Sequence, residues 1–112
     1  MSLKILTLEV FDKQAKRLAK KYRRLGKDLR HLRVMLQKNP EAGIKLGQGC
    51  YKIRLANSSI PTGKSGGFRV IYYYLDDADN LYLMSIYTKT EQSNISEGRL
   101  REILRQSGLE AN

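Results

Sequence analysis

The chain has one cysteine, one histidine and eleven acids in 112 residues, and it has no long hydrophobic run. Each scarcity removes a class of function. A lone cysteine, Cys50, leaves no intrachain disulfide. It precedes an alternating stretch and reads as a structural thiol, in keeping with a reducing, cytoplasmic compartment. The lone histidine, His31, falls in a helical pattern, so a Ser-His-Asp or Cys-His catalytic unit has no support. No cluster has metal-ligand spacing. Asp76, Asp77 and Asp79 lie together, but the twelve-residue loop and closing Glu of an EF-hand are missing. Neither a metal nor another cofactor is expected. No segment approaches the ~20 apolar residues that span a bilayer. The apolar run Leu3 to Val10 carries Lys4 and Glu9, unlike a signal peptide. The expectation is a soluble cytoplasmic protein with no membrane partner.

What is present is positive charge. Lysine and arginine number 21, giving a net charge of +10. A field of that strength suits a polyanion or an acidic protein partner. The hydrophobic content of 41% is ordinary and sufficient for one modest core. Residues 1–112 are expected to form a single domain.

Leu3 to Val10 mixes β-branched and aliphatic residues and suits a first strand. Phe11 to Leu25 then shifts to helical spacing, with Phe11, Ala15, Leu18, Tyr22 and Leu25 on one face. Gly26 is placed like a helix C-terminal glycine, and Asp28 like the start of a second helix that Asn39-Pro40 closes. The first helix carries seven cations against one acid, Asp12; its basic side, with Lys20, Arg23 and Arg24, is either a solvated face or a ridge that tracks phosphates. Glu41 to Gly49 reads as a connector. Tyr51 to Leu55 alternates, placing Lys52 and Arg54 on one face roughly 7 Å apart. Asn57 to Gly67 is a loop in which Lys64 sits within GKSGG, a phosphate cradle or a flexible turn but not a P-loop. Phe68 to Leu75 is apolar on both faces and should be central. Asp76 to Asn80 is a turn, Leu81 to Lys89 the last strand with Ser85, Tyr87 and Lys89 on one face, and Ser96 to Leu104 a short helix. The class is α+β: a small antiparallel sheet in the order β-α-α-β-β-β-α, with the helical hairpin on one face. The other face is left for Lys52, Arg54, Arg69, Tyr87 and Lys89.

Lysine, arginine and tyrosine together suit RNA cleavage by the 2′-hydroxyl. There, negative charge builds on the phosphorus oxygens, where cations stabilise it. A lysine crowded by other cations has its pKa pushed down toward neutrality. Tyrosines such as Tyr73 can stack on an unpaired base. The same residues also occur on RNA-binding sheets without catalysis.

Three segments, CYKIRLA, GKSGGFRVIYYYL and LYLMSIYTKTEQSNI, resemble the core of the RelE/HigB toxins of bacterial type II toxin–antitoxin modules. The GK-x-GG-x-R-x-IYY form is most similar to the HigB-like branch. With the basic helical hairpin and the Asn-Pro pair, the resemblance covers nearly the whole chain. It implies a microbial RNase-like fold and a ribosome-dependent mRNA endonuclease that cuts the A-site codon. Arg54, Arg69, Tyr87 and Lys89 would be catalytic. Lys52, Lys64, Tyr73, Lys20, Arg23 and Arg24 would bind RNA. Where RelE has a tyrosine beyond the last strand, this chain has Ile95, and Tyr87 is the candidate substitute. The implied partners are the ribosome with its mRNA and a cognate antitoxin, often with a helix-turn-helix domain. A ParE-like gyrase poison shares the fold and is the alternative.

Overall fold

The stretch FRVIYYY is β-branched and aromatic on both faces, a pattern that only a strand covered from both sides tolerates. In the computed structural model, which describes residues 3–61, 66–75 and 79–109, that strand is the middle one of five. The elements run β1 (Lys4–Thr7), α1 (Glu9–Lys21), α2 (Leu25–Lys38), β2 (Ile44–Gly47), β3 (Cys50–Leu55), β4 (Phe68–Tyr74), β5 (Asn80–Thr88) and α3 (Glu97–Gln106). The sheet order is β1-β5-β4-β3-β2. β3, β4 and β5 form the expected antiparallel meander, β2 extends it, and β1 joins the far edge parallel to β5. The class is α+β, as the sequence indicates, with one strand more than the pattern alone reveals.

Two cores sandwich the sheet. On one face α1 and α2 bury Phe11, Leu18, Leu25, Leu32 and Leu36 against strand residues that include Phe68, Val70, Tyr72 and Ile86. On the other face α3 sets Leu100, Ile103 and Leu104 on Cys50, Ile71, Met84 and Tyr87. The second face is therefore not wholly open for the cations. α3 covers one half of it. Its N-terminus is capped by Ser96, whose Oγ accepts from the Arg99 N–H at 3.0 Å. Ser96→Ala is expected to cost about 1 kcal/mol, read as a lower urea midpoint with an unchanged slope.

Several local readings are corrected by tertiary contacts. Gly26 does not end α1; α1 stops at Lys21, and Gly26 lies inside α2. The turn between the helices is held instead by Tyr22, whose ring meets Phe68 edge-on at 5.5 Å, and by buried Leu25. Asp28 does not cap α2. It is buried, and its Oδ2 accepts from the Ser58 N–H at 3.0 Å. The connector at 41–49 contains β2, whose hairpin to β3 turns through Gly47, Gln48 and Gly49, all with positive φ. Gly49 has no alternative: a Cβ there would stand 2.8 Å from the Tyr73 ring. Ser85 does not share a face with Tyr87. A bulge at Met84 resets the register, and the Ser85 hydroxyl donates to Gln14 Oε1 of α1 at 3.0 Å.

The rim of β1 is closed by side chains. Arg33 Nη1 donates to the Ile5 carbonyl at 3.1 Å and Gln37 Nε2 to the Leu3 carbonyl at 2.7 Å. These contacts occupy acceptors that a foreign strand would otherwise meet. Cys50 is buried with its Sγ 3.8 Å from Met84 Sδ, and burial pushes the thiol up to about 12. It is an inert packing residue.

Candidate functional site

Strand register assembles the cations. Arg54 stands opposite Arg69, Lys52 opposite Ile71, and Tyr87 opposite Arg69 on the next strand. Alternation turns Lys52, Arg54 and Arg69 away from the helical hairpin. With Lys89, just past β5, they line one cavity of about 350 Å³. The connector residues Ala42, Gly43 and Ile44 form its opposite wall. No acid lines it. Among the described residues none of the four cations forms an ion pair. Lys52 Nζ donates to Asn94 Oδ1 at 3.1 Å, a neutral partner.

Arg69 is the unusual member. It is only 7% exposed, and its one hydrogen bond among the described residues runs from Nη1 to the Gly67 carbonyl at 3.4 Å. A guanidinium buried without a carboxylate carries an uncompensated charge, which destabilises the fold unless an anion arrives. A second hollow, of about 240 Å³, lies beside the β2–β3 hairpin. There Lys45 Nζ is 3.7 Å from Glu41, so its charge is matched locally. Of these two, the first cavity presents the unmatched positive charge.

The other expected site residues divide. Tyr87 is not open on the cationic face. It is 2% exposed beneath α3, and its hydroxyl has no hydrogen-bond partner among the described residues. Burial raises its pKa and the charge of Arg69 opposes this, with a net upward shift. The phenol therefore keeps its proton at neutral pH. Ile95 packs on the same cluster. Tyr73 lies four residues along β4 from Arg69, roughly 13 Å away, and packs by Leu109 rather than in the cavity. Lys20 and Arg23 border a shallow depression of their own on α1. The Arg24 backbone N–H donates to Ser59 Oγ at 3.0 Å. Because Tyr22 touches Phe68, the neighbour of Arg69, the basic end of α1 lies at the same end of the sheet as the cavity. Lys64 lies outside the described residues. Among the described residues no group of three His, Cys, Asp or Glu side chains is placed to hold a metal ion, and no helix is long and apolar enough to cross a membrane.

Glu91 was not singled out by composition, yet it fixes the turn that carries Lys89. Its Oε1 accepts from the Thr88 N–H at 2.9 Å, and its own N–H donates to Thr88 Oγ1 at 3.3 Å. This reciprocal pair is the Thr-x-x-Glu capping box, here closing a turn rather than a helix. The spacing in TKTE was legible; its use after a strand was not. Glu91 Oε2 also pairs with Arg17 of α1 at 2.7 Å. Burial raises the Glu91 pKa, but the Thr88 N–H and the Arg17 guanidinium outweigh it and the net shift is downward from 4.5. The folded state thus binds this proton less tightly than the unfolded chain. Its contribution is complete above pH 4.5 and is lost as pH falls through the folded value. Melting of wild type and Glu91→Gln across acid pH should show a flatter profile for the variant below pH 4.5.

No family model matches the chain. Solved structures match it in shape. A mutant of the E. coli toxin RelE in the free state superposes with a TM-score of 0.61 at 18% identity, over 95% of this chain and 98% of that one. The isolated E. coli RelE toxin superposes with a TM-score of 0.57 at 22% identity, over 94% and 99%. With nearly the whole of each chain covered, the chain has the fold of E. coli RelE.

Proposed function

We propose that this protein is the toxin of a type II toxin–antitoxin module, a ribosome-dependent endonuclease that cuts mRNA in the A site and halts translation. The observation that carries this reading is the cavity in which Lys52, Arg54, Arg69 and Lys89 converge with no acid among them. The likeness to E. coli RelE in fold supports it. A cavity of this charge is complementary to a phosphodiester whose negative charge grows in the transition state.

In the reaction proposed, the 2′-oxygen of the substrate attacks the adjacent phosphorus and the P–O5′ bond breaks. The 2′-proton passes to a base and the leaving 5′-oxygen takes up a proton. The products are a 2′,3′-cyclic phosphate and a 5′-hydroxyl, and no metal is needed. Arg54 and Arg69 hold the nonbridging oxygens, because a guanidinium fork matches phosphate. Lys52 holds the RNA, and Lys89 adds its charge beside the scissile phosphate. Tyr87 enters beneath Arg69, as its neighbour across the strands rather than as a cavity wall. The unpaired cations of α1 follow flanking phosphates or ribosomal RNA. The partner that silences the protein is an antitoxin encoded alongside, with an acidic segment to complement +10 and a helix-turn-helix domain.

The test is induction in cells lacking the antitoxin, followed by mapping of RNA 5′ ends. New 5′-hydroxyl ends at A-site codons are expected, with arrest of protein synthesis. A DNA-damage response with intact mRNA would instead identify a ParE-like gyrase poison.

A further inference from the structure

We propose that Tyr72, on the helix-packed face of the sheet, is a positioning residue for the cationic cavity on the other face. This inference rests on the cavity's being the RNA site. Tyr72 is fully buried, and its ring stacks on Tyr51 at 5.0 Å with an interplanar angle of 5°. Its hydroxyl does two things at once. It donates to the Pro40 carbonyl at 2.8 Å and accepts from the Gly43 N–H at 3.0 Å. Burial is the main reason its pKa rises to about 12, so the hydroxyl keeps the proton that this donation requires.

The segment so fastened is the cavity wall of Ala42, Gly43 and Ile44. It faces Lys52, Arg54 and Arg69, whose own positions are set by strand pairing. The wall is otherwise held by the Ala42 N–H, which donates to the Asn39 carbonyl at 3.1 Å, and by Ile44, which pairs with Lys52. Beyond it β2 makes only a short, bulged ladder with β3. At Gly43 the contact is as close as backbone allows: a Cβ would lie 2.8 Å from the Lys52 carbonyl oxygen and 3.1 Å from the Tyr72 hydroxyl. The wall is thus pressed on the backbone of one cation and tied from beneath by one hydroxyl. Without that hydroxyl, Pro40 O and Gly43 N–H lose their partner and the wall moves off Lys52. The width of the cavity, and with it the fit of a phosphodiester, depends on Tyr72.

The experiment compares Tyr72→Phe, which keeps the stacked ring, with Ile5→Ala, which removes core packing in β1 at the opposite edge of the sheet from β2. Amide exchange at Gly43 and the dissociation constant of a single-stranded oligouridylate are measured on the isolated protein. Tyr72→Phe should speed Gly43 exchange and weaken RNA binding about tenfold, whereas Ile5→Ala leaves both at wild-type values. Gly43→Ala, which pushes the wall from the other side with Tyr72 intact, should weaken binding likewise; it decides the matter if Tyr72→Phe does not fold. Binding by Tyr72→Phe equal to that of Ile5→Ala, or unchanged Gly43 protection, overturns the inference. A wild type that binds the RNA but cuts no mRNA on ribosomes sinks the nuclease reading while this comparison still returns its own answer.

Discussion

Arg69→Ala should abolish growth arrest and lower mRNA cleavage on ribosomes by about 10²–10³-fold, while the purified protein stays folded. The two halves of this outcome share one cause. Arg69 is buried at 7% exposure with no acid beside it among the described residues. Its neighbours in the cavity are three more cations. Removing it deletes mutual repulsion and a desolvated charge, so the melting temperature should hold or rise. A cation kept at a cost to the fold is kept for a ligand, as in other trade-offs between stability and activity. Cleavage near wild-type levels in Arg69→Ala would refute the site. A melting temperature that collapsed would instead show that the guanidinium holds the fold.

Phe68→Ala should cost about 3–5 kcal/mol, a large share of the roughly 5–15 kcal/mol that holds a domain of this size. Phe68 is fully buried at the start of β4, and its ring meets Tyr22 at 85°. That contact closes the helical hairpin onto the sheet, and it lies one residue from Arg69. The loss would therefore loosen both the end of α1 and the base of the cavity. Urea unfolding should show a much lower midpoint with the slope preserved, and arrest of growth should weaken with the folded fraction. A midpoint within experimental error of wild type would show that the Tyr22–Phe68 contact contributes nothing.

The meander and the helical pair were legible because their signals are local. Alternation in YKIRL and two-faced apolarity in FRVIYYY dictate strands whatever surrounds them, and the spacing of Phe11, Leu18, Leu32 and Leu36 dictates helices that bury those residues. The cations of β3 and β4 were legible for the same reason, since alternation assigns each to a face. What alternation does not reveal is what covers that face. α3 lies over Tyr87 but not over Arg54, and nothing within β3 or β5 distinguishes those two surroundings. The helix boundary at Lys21 was hidden because Gly26 offers a local stop while buried Leu25 and the Asp28–Ser58 hydrogen bond, both tertiary, place the turn earlier. The bulge at Met84 was hidden too, since an extra residue in a ladder depends on its partner strand. Glu91 left a readable Thr-x-x-Glu mark, but its pairing with Arg17 joins residues far apart in the chain.

The parallel pairing of β1 with β5 sets Lys4 beside Asn80 and Thr7 beside Leu83. Strands so distant in sequence meet late, because a long loop must close before either gains anything from the other. During synthesis the first strand waits, partnerless, until the last has cleared the exit tunnel. Lys89 stands just past that last strand, so the cationic cavity and the closed sheet are completed together. A polypeptide cut short before its eightieth residue has neither.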